Sequence, residues 1–215
     1  MQFTFGIITS DNQESRVQSI IDDINNYSSG SEIVVVGGSN VYNNIKHVDF
    51  DETIKSGWIT KKKNLITENA SNENIVYMHD YITISKNWSQ GWDWFGNDWD
   101  VCMTRIDNLD GTRFRDWCAW DDPELCYLPT GQHWACIVPY NYSKTEHMYI
   151  SGAYWVAKKS VMEQAPLDEN LCWGESEDVE WSYRIRQNYR YRMNPYTSVK
   201  LLKQKERILI DKSND

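Results

Sequence analysis

The stretch FTFGIITSDNQESRVQSIIDDINNYSSGSEIVVVGGS, Phe3 to Ser39, decides the fold. Phe3 to Ile8 is a short apolar run that ends at Thr9, Ser10, Asp11 and Asn12, four residues that favour helix N-caps. Val17, Ile20, Ile21 and Ile24 then recur at i, i+3, i+4 and i+7, the spacing of a helix with one buried face, and Gly30 supplies a stop. A second buried strand follows in EIVVVGGS. The order strand, helix, apolar strand implies a right-handed crossover and a parallel sheet. Ligands of such sheets gather at the carboxyl ends of the strands, which places residues 9–12 and 37–39 there. Neither G-x-G-x-x-G nor a P-loop sequence is present, so a dinucleotide or nucleoside-triphosphate phosphate loop is not indicated.

Outward from that unit, HVDFDE (His47 to Glu52) reads as a further short strand, and Thr60 as a cap for a helix through KKKNLITENA. NIVYMHDY (Asn74 to Tyr81) is a strong strand running into His79 and Asp80. A carboxylate at the end of a buried strand suits a site better than a core. A helix near Asn87 to Trp94 and a strand at DVCMTR come next. From Arg105 to Met148 no period holds, and a long irregular excursion of this kind in a compact domain is usually functional. Order returns at YISGAYWVAKKSV, and the tail KQKERILIDKSND is charged and expected to fray or to lead into a downstream domain.

The chain has 215 residues and a formal charge of −9, with no basic stripe, which argues against a nucleic-acid partner. No apolar run is long enough to span a membrane and the first ten residues lack the pattern of a signal peptide, so a cytoplasmic location is expected. Five cysteines without a C-x-x-C pair read as reduced thiols. The sequons at Asn69, Asn87 and Asn141 are what chance gives in an Asn-rich chain. Eleven tryptophans are the surprise, and seven of them fall between Trp88 and Trp134 beside polar residues, a setting for rings that line a wet groove as well as for packing.

WGESEDVEWSYRIR (Trp173 to Arg186) sets Glu175, Glu177, Asp178 and Glu180 within six positions. Like charges so close destabilise one another's ionised forms. A helix starting near Glu177 would hold its first carboxylates at the positive end of the helix dipole, with Arg184 and Arg186 offsetting more of the repulsion. That arrangement keeps an acid ionised, as a general base requires.

Taken together, the strand-helix-strand opening, the Asp that ends the NIVYMHD strand, SGAYWVAKKS and WGESEDVEW resemble a glycosyltransferase of the GT-A fold, close to the family 2 type, over roughly residues 3 to 190. They also resemble, more narrowly, the amino-terminal glycosyltransferase domain of a multidomain chlorella-virus protein, which would place the chain in the host cytoplasm. The resemblance implies an α/β fold: a single Rossmann-like GT-A domain over residues 1–200 with a mixed, mostly parallel central sheet flanked by helices. Residues 1–100 would bind the nucleotide, residues 101–200 the acceptor, and residues 201–215 would be a charged tail or linker.

It further implies a UDP-sugar donor (UDP-glucose or a related hexose or deoxyhexose), a glycan acceptor, and Mn²⁺ or Mg²⁺ held by a D-x-D motif. Here the motif reads MHDY, which leaves His79 and Asp80 as the metal ligands, a thinner shell in which an imidazole suits Mn²⁺ better than Mg²⁺. Asp178 matches the general base of inverting members and Glu177 its partner that orients the acceptor. Thr9, Asp11, Gly37, Gly38 and Asp51 match the donor-binding loops, with VVVGGS where relatives often have VVDDGS, so Asp49 or Asp51 replaces the missing carboxylate. Lys62 and Lys63 match a basic region that contacts phosphates, or else form a solvated helix face. Gly152 would face the donor sugar, and Trp173 and Trp181 the acceptor. His133 and His147 read as surface residues, with acceptor contact the minor alternative. A non-catalytic carbohydrate-binding module is the competing reading, since it explains the tryptophans without Asp178. A nucleotidyltransferase would need a Gly-rich basic loop that ITSDNQES does not supply.

Overall fold

The computed structural model describes residues 1–206 and 209–213. The opening segment forms β1 (Phe3–Ile8), α1 (Glu14–Tyr27) and β2 (Glu32–Val36) as its periodicity predicts. Val17, Ile20, Ile21 and Ile24 are the buried face of α1. The cap differs from expectation: Gln13 holds the N-cap position with no side-chain bond, because Asn12 turns into the left-handed region (φ 64°) and Thr9 is drawn elsewhere. The chain continues through β3 (Lys46–Val48), α2 (Ile59–Asn69), β4 (Asn74–His79), β5 (Ile82–Ile84), α3 (Trp88–Phe95) and β6 (Val101–Asp107). Thr60 lies inside α2 rather than capping it, and its hydroxyl donates to the Leu171 carbonyl at 2.7 Å.

One eight-stranded sheet organises the molecule, in the order β3-β2-β1-β4-β10-β6-β11-β5, where β10 is Tyr154–Lys158 and β11 is Tyr191–Leu201. Strands β3, β2, β1, β4, β6 and β11 run one way, and β10 and β5 run against them. The sheet is therefore mixed and mostly parallel, with α4 (Lys159–Gln164) and α5 (Glu177–Ile185) completing the helices. Apolar side chains of β1, β2, β4, β10 and α1 form one continuous core, to which Trp88, Trp92, Trp99, Trp155 and Trp181 contribute fully buried rings. Core packing thus takes most of the tryptophans between 88 and 99.

The irregular excursion builds a small second sheet: β7 (Cys118–Ala119), β8 (Cys136–Ile137) and β9 (Met148–Tyr149). Its fourth strand is β12 (Ile210–Asp211), which pairs in parallel with β8. The segment expected to fray therefore folds back over the excursion. Leu202 donates its N–H to the Tyr81 carbonyl at 2.8 Å, and Asn108, itself buried, exchanges two bonds with the Lys205 backbone at 3.0 and 3.1 Å. All five cysteines are free, and among the described residues no helix is long and apolar enough to cross a membrane.

Candidate active site

Strand β4 pairs with β1 on one side and with β10 on the other, so its carboxyl end meets both the β1 loop and the turn that precedes β10. The His79 N–H donates to the Ala153 carbonyl at 3.2 Å, and the Asp80 N–H to the Ile8 carbonyl at 3.2 Å. Next to Ala153, the Gly152 N–H donates to Asp178 Oδ2 at 2.9 Å. One unbroken line of contacts thus joins the end of β4 to the first turn of α5.

The acidic pair opens α5 as expected, with Ser176 at the N-cap in a left-handed conformation (φ 59°). Asp178 Oδ1 accepts the Val179 N–H at 2.9 Å, so both of its oxygens rest on backbone donors. Glu177 is buried, and burial pushes its carboxyl above the ordinary value, an effect that Lys63 opposes and Asp178 reinforces. Lys63 lies beneath the pair: its Nζ donates to the Gly152 carbonyl at 3.0 Å, sits 3.5 Å from Glu177 Oε1 and lies 4.6 Å from the Trp155 ring centre. Burial pushes its ammonium down, which the two carboxylates oppose. Lys63 is therefore a fixed counter-charge under the site and not a phosphate ligand. Lys62 is committed too, donating to the Thr9 carbonyl at 2.6 Å and pairing with Glu52. Neither lysine belongs to a solvated helix face.

Gly152 is required by crowding. A Cβ there would lie 3.0 Å from both Asp178 Oδ2 and Glu177 Oε1. Gly37, at the end of β2, has φ +87°, and a Cβ would stand 2.6 Å from the Thr9 carbonyl. Gly38 lies against the Ser10 carbonyl in the same way, at 3.1 Å. Thr9, Gly37 and Gly38 are thus brought together, whereas Asp11 and Asp51 are exposed. Asp51 spends its carboxylate on Thr53, whose N–H and hydroxyl donate at 2.9 and 2.6 Å. Asp49 pairs with His47 at 3.3 Å and is otherwise open to solvent.

The turn that begins at Asp80, directly after β4, separates the two residues expected to share a metal. His79 faces a cleft of about 450 Å³ together with Tyr81, Phe114, Arg115, Gly152, Trp173, Glu177, Asp178 and Lys205. Asp80 points the other way: Oδ2 accepts the Thr9 hydroxyl at 2.9 Å and Oδ1 pairs with Arg16 of α1 at 3.1 Å. Burial, then Lys63, Lys205 and Lys203, hold the His79 imidazole well below its ordinary value and so neutral. Among the described residues no three His, Cys, Asp or Glu side chains converge as metal ligands. Met78 occupies the place of a further carboxylate and is buried in the core. With one oxygen of Asp80 on a guanidinium and the other on a hydroxyl, His79 and Asp80 do not fit Mn²⁺ or Mg²⁺ as a pair, and this is a correction to the sequence expectation.

Trp173 stands at the cleft rim, 70% exposed. Trp181 does not reach the cleft at all. It is fully buried, its Nε1–H donates to the Ala165 carbonyl at 2.6 Å and its ring lies 6.2 Å from Trp155, so its expected contact with the acceptor is corrected to core packing. A second groove of about 310 Å³ meets the first at Arg115, Ser176 and Asp178, and it is lined by Trp120, His133, Trp134 and Tyr149. The ring of His133 packs edge-on against Trp120 at 4.6 Å and its Nε2 contacts the Trp120 carbonyl, while the Trp134 Nε1–H is buried without a partner among the described residues. His147 pairs with Asp121 at 2.9 Å, away from both grooves. Tyr81, Arg115 and Lys205 were not legible as site residues. Only its place just after β4 pointed to Tyr81, and nothing in the local sequence to the other two.

Comparison with solved structures identifies the fold. S. aureus TarS (residues 1–349) in complex with UDP-GlcNAc superposes with a TM-score of 0.63 at 15% identity, over 97% of this chain and 60% of that one. The chain has the GT-A fold. GalNAc-T7 with UDP, GalNAc and Mn²⁺ gives a TM-score of 0.66 at 13% identity, over 96% of this chain and 44% of that one. This chain therefore spans well under two thirds of either GT-A neighbour. No family model matches the sequence. No curated protein matches it either.

Proposed function

We propose that the chain is a glycosyltransferase that moves a sugar from a UDP-sugar to a hydroxyl of a glycan, with inversion at the anomeric carbon and Asp178 as the general base. The observation that carries this reading is the position of the Asp178 carboxylate. It is held by two backbone N–H groups at the junction of a polar cleft and an aromatic groove. The UDP complex of one GT-A neighbour and the UDP-GlcNAc complex of another crystal of the same protein support the nucleotide class.

In this reading the diphosphate and donor sugar occupy the cleft in front of Gly152, and the uridine extends towards Thr9, Gly37 and Gly38. The glycan enters along the groove of Trp120, His133 and Trp134, where sugar rings stack on indoles, with Trp173 at the rim. The acceptor oxygen attacks the anomeric carbon as the bond from that carbon to the diphosphate oxygen breaks. The bonding pair leaves with UDP, and the acceptor proton passes to Asp178. Glu177, fixed by Lys63, orients the acceptor. No step is assigned to a divalent cation, because the donor set at the end of β4 does not fit one. Residues 1–100 hold the nucleoside and 101–200 the acceptor, with the diphosphate between them, in one domain at work in the cytoplasm.

The test is product formation. Incubation with a panel of UDP-sugars and glycan acceptors should release UDP faster when a matched acceptor is present, with the glycan gaining one sugar mass. A carbohydrate-binding module would retain the glycan and release no UDP from any donor.

A further inference from the structure

At the end of β4 the cleft carries fixed cations where a metal would otherwise neutralise a diphosphate. Tyr81, in the turn after β4, lines the cleft together with His79. Lys205 Nζ bonds the Tyr81 hydroxyl at 3.2 Å and lies 4.8 Å from the ring centre, and Lys203 Nζ lies 4.0 Å from the same ring. Arg115 lines the cleft beside them, and its Nε is buried with no hydrogen-bond partner among the described residues. An orphaned guanidinium N–H and an ammonium on a single wall are costly unless an anion completes them. Asn108 fixes the Lys205 backbone by its two reciprocal bonds, so this ammonium is placed and not merely near. Glu177 and Asp178 line the same cleft, as does the exposed Glu206.

We infer that Arg115 and Lys205, with Lys203 behind them, bind the diphosphate of the donor and stabilise it as it leaves, so that donor binding does not depend on a divalent cation. The inference rests on the proposed UDP-sugar reading. As the bond to the anomeric carbon breaks, one further negative charge develops on the diphosphate. A planar guanidinium and a point-charge ammonium held beforehand in a partly dry cleft are suited to receive it.

The experiment is titration calorimetry of the intact chain with UDP and with uridine, in EDTA and in Mn²⁺. UDP is expected to bind in EDTA within about threefold of its affinity in Mn²⁺. Arg115→Gln and Lys205→Gln are each expected to weaken UDP by about tenfold or more, the scale of one charge-assisted bond, and to leave uridine unchanged. The comparison of EDTA with Mn²⁺ uses the unaltered protein, so it stands even where a variant folds poorly. UDP that binds in Mn²⁺ and is lost in EDTA overturns the inference and leaves the glycosyltransferase reading intact. Failure of UDP to bind in either condition overturns both.

Discussion

Asp178 and Glu177 are adjacent in sequence and differ in what holds them. Asp178 rests on backbone donors at 2.9 Å and opens onto both grooves. Glu177 is buried against Lys63. Asp178→Asn preserves size and hydrogen-bond reach while removing the proton acceptor. Transfer is therefore expected to fall by about 10² to 10⁴, with UDP affinity retained, as initial rates and calorimetry on the same preparation will show. The raised Glu177 carboxyl has a signed consequence. The folded chain holds that proton more tightly than the unfolded one, whose carboxyl sits near the ordinary value of 4.5, so its contribution to stability falls as pH rises from there through the raised folded value. Glu177→Gln should flatten that slope in urea midpoints measured from about pH 4 to 7. Tryptophans separate in the same manner. Trp181→Ala removes a fully buried ring and should cost about 3–5 kcal/mol in urea unfolding. Trp173→Ala, at an exposed rim position, should stay within about 0.5 kcal/mol of the parent.

At the scale of elements, the site is the meeting of a strand end, a turn and a helix start. The turn contributes Gly152, whose N–H reaches Asp178 while its carbonyl receives Lys63. Gly152→Ala would push a methyl to 3.0 Å from both carboxylates, closer than ordinary carbon contacts. The first turn of α5 must then shift. Transfer is expected to drop at least about tenfold while UDP binding changes little, a split that initial rates and calorimetry will resolve. Much of this scale was legible beforehand. The 3.6 period of Val17, Ile20, Ile21 and Ile24, the apolar runs of β1, β2 and β4, and the acidic start of α5 are local signals, and local signals survive tertiary packing. The misreadings at Asp80 and Lys63 have one cause. Local sequence does not say which way a side chain points: Asp80, in the turn after β4, faces Arg16 and Thr9 while His79 faces the cleft, and a lysine on a helix can point inwards when a carboxylate waits there. Arg115 and Lys205 were illegible because nothing near either in sequence marks it. One comes from the irregular excursion and the other from the tail, whose bonds from Leu202 to Tyr81 and between Lys205 and Asn108 bring them to one cleft.

For the molecule as a whole, the cleft lies between parts of the chain that are far apart in sequence. His79 and Tyr81 belong to the first half, Gly152 and Asp178 to the second, and Lys205 to the far end. A ligand that touches all three ties them together and acts on the folded state alone. Binding only to the folded form stabilises by RT ln(1 + [L]/Kd), about 2.7 kcal/mol when UDP is supplied at a hundred times its Kd. In a chain of this size, 1 kcal/mol moves the melting midpoint by about 2–4 °C, so saturating UDP should raise it by about 5–10 °C. Uridine at the same multiple of its own Kd should give a like shift, but the concentration needed will be far higher because the cationic wall has nothing to hold. A carbohydrate-binding module would respond to oligosaccharide and to neither nucleotide. Scanning calorimetry with UDP, uridine and a glycan therefore separates the two readings on one protein sample. A flat response to UDP alongside a clear response to glycan would remove the catalytic reading and leave the aromatic groove as a binding surface.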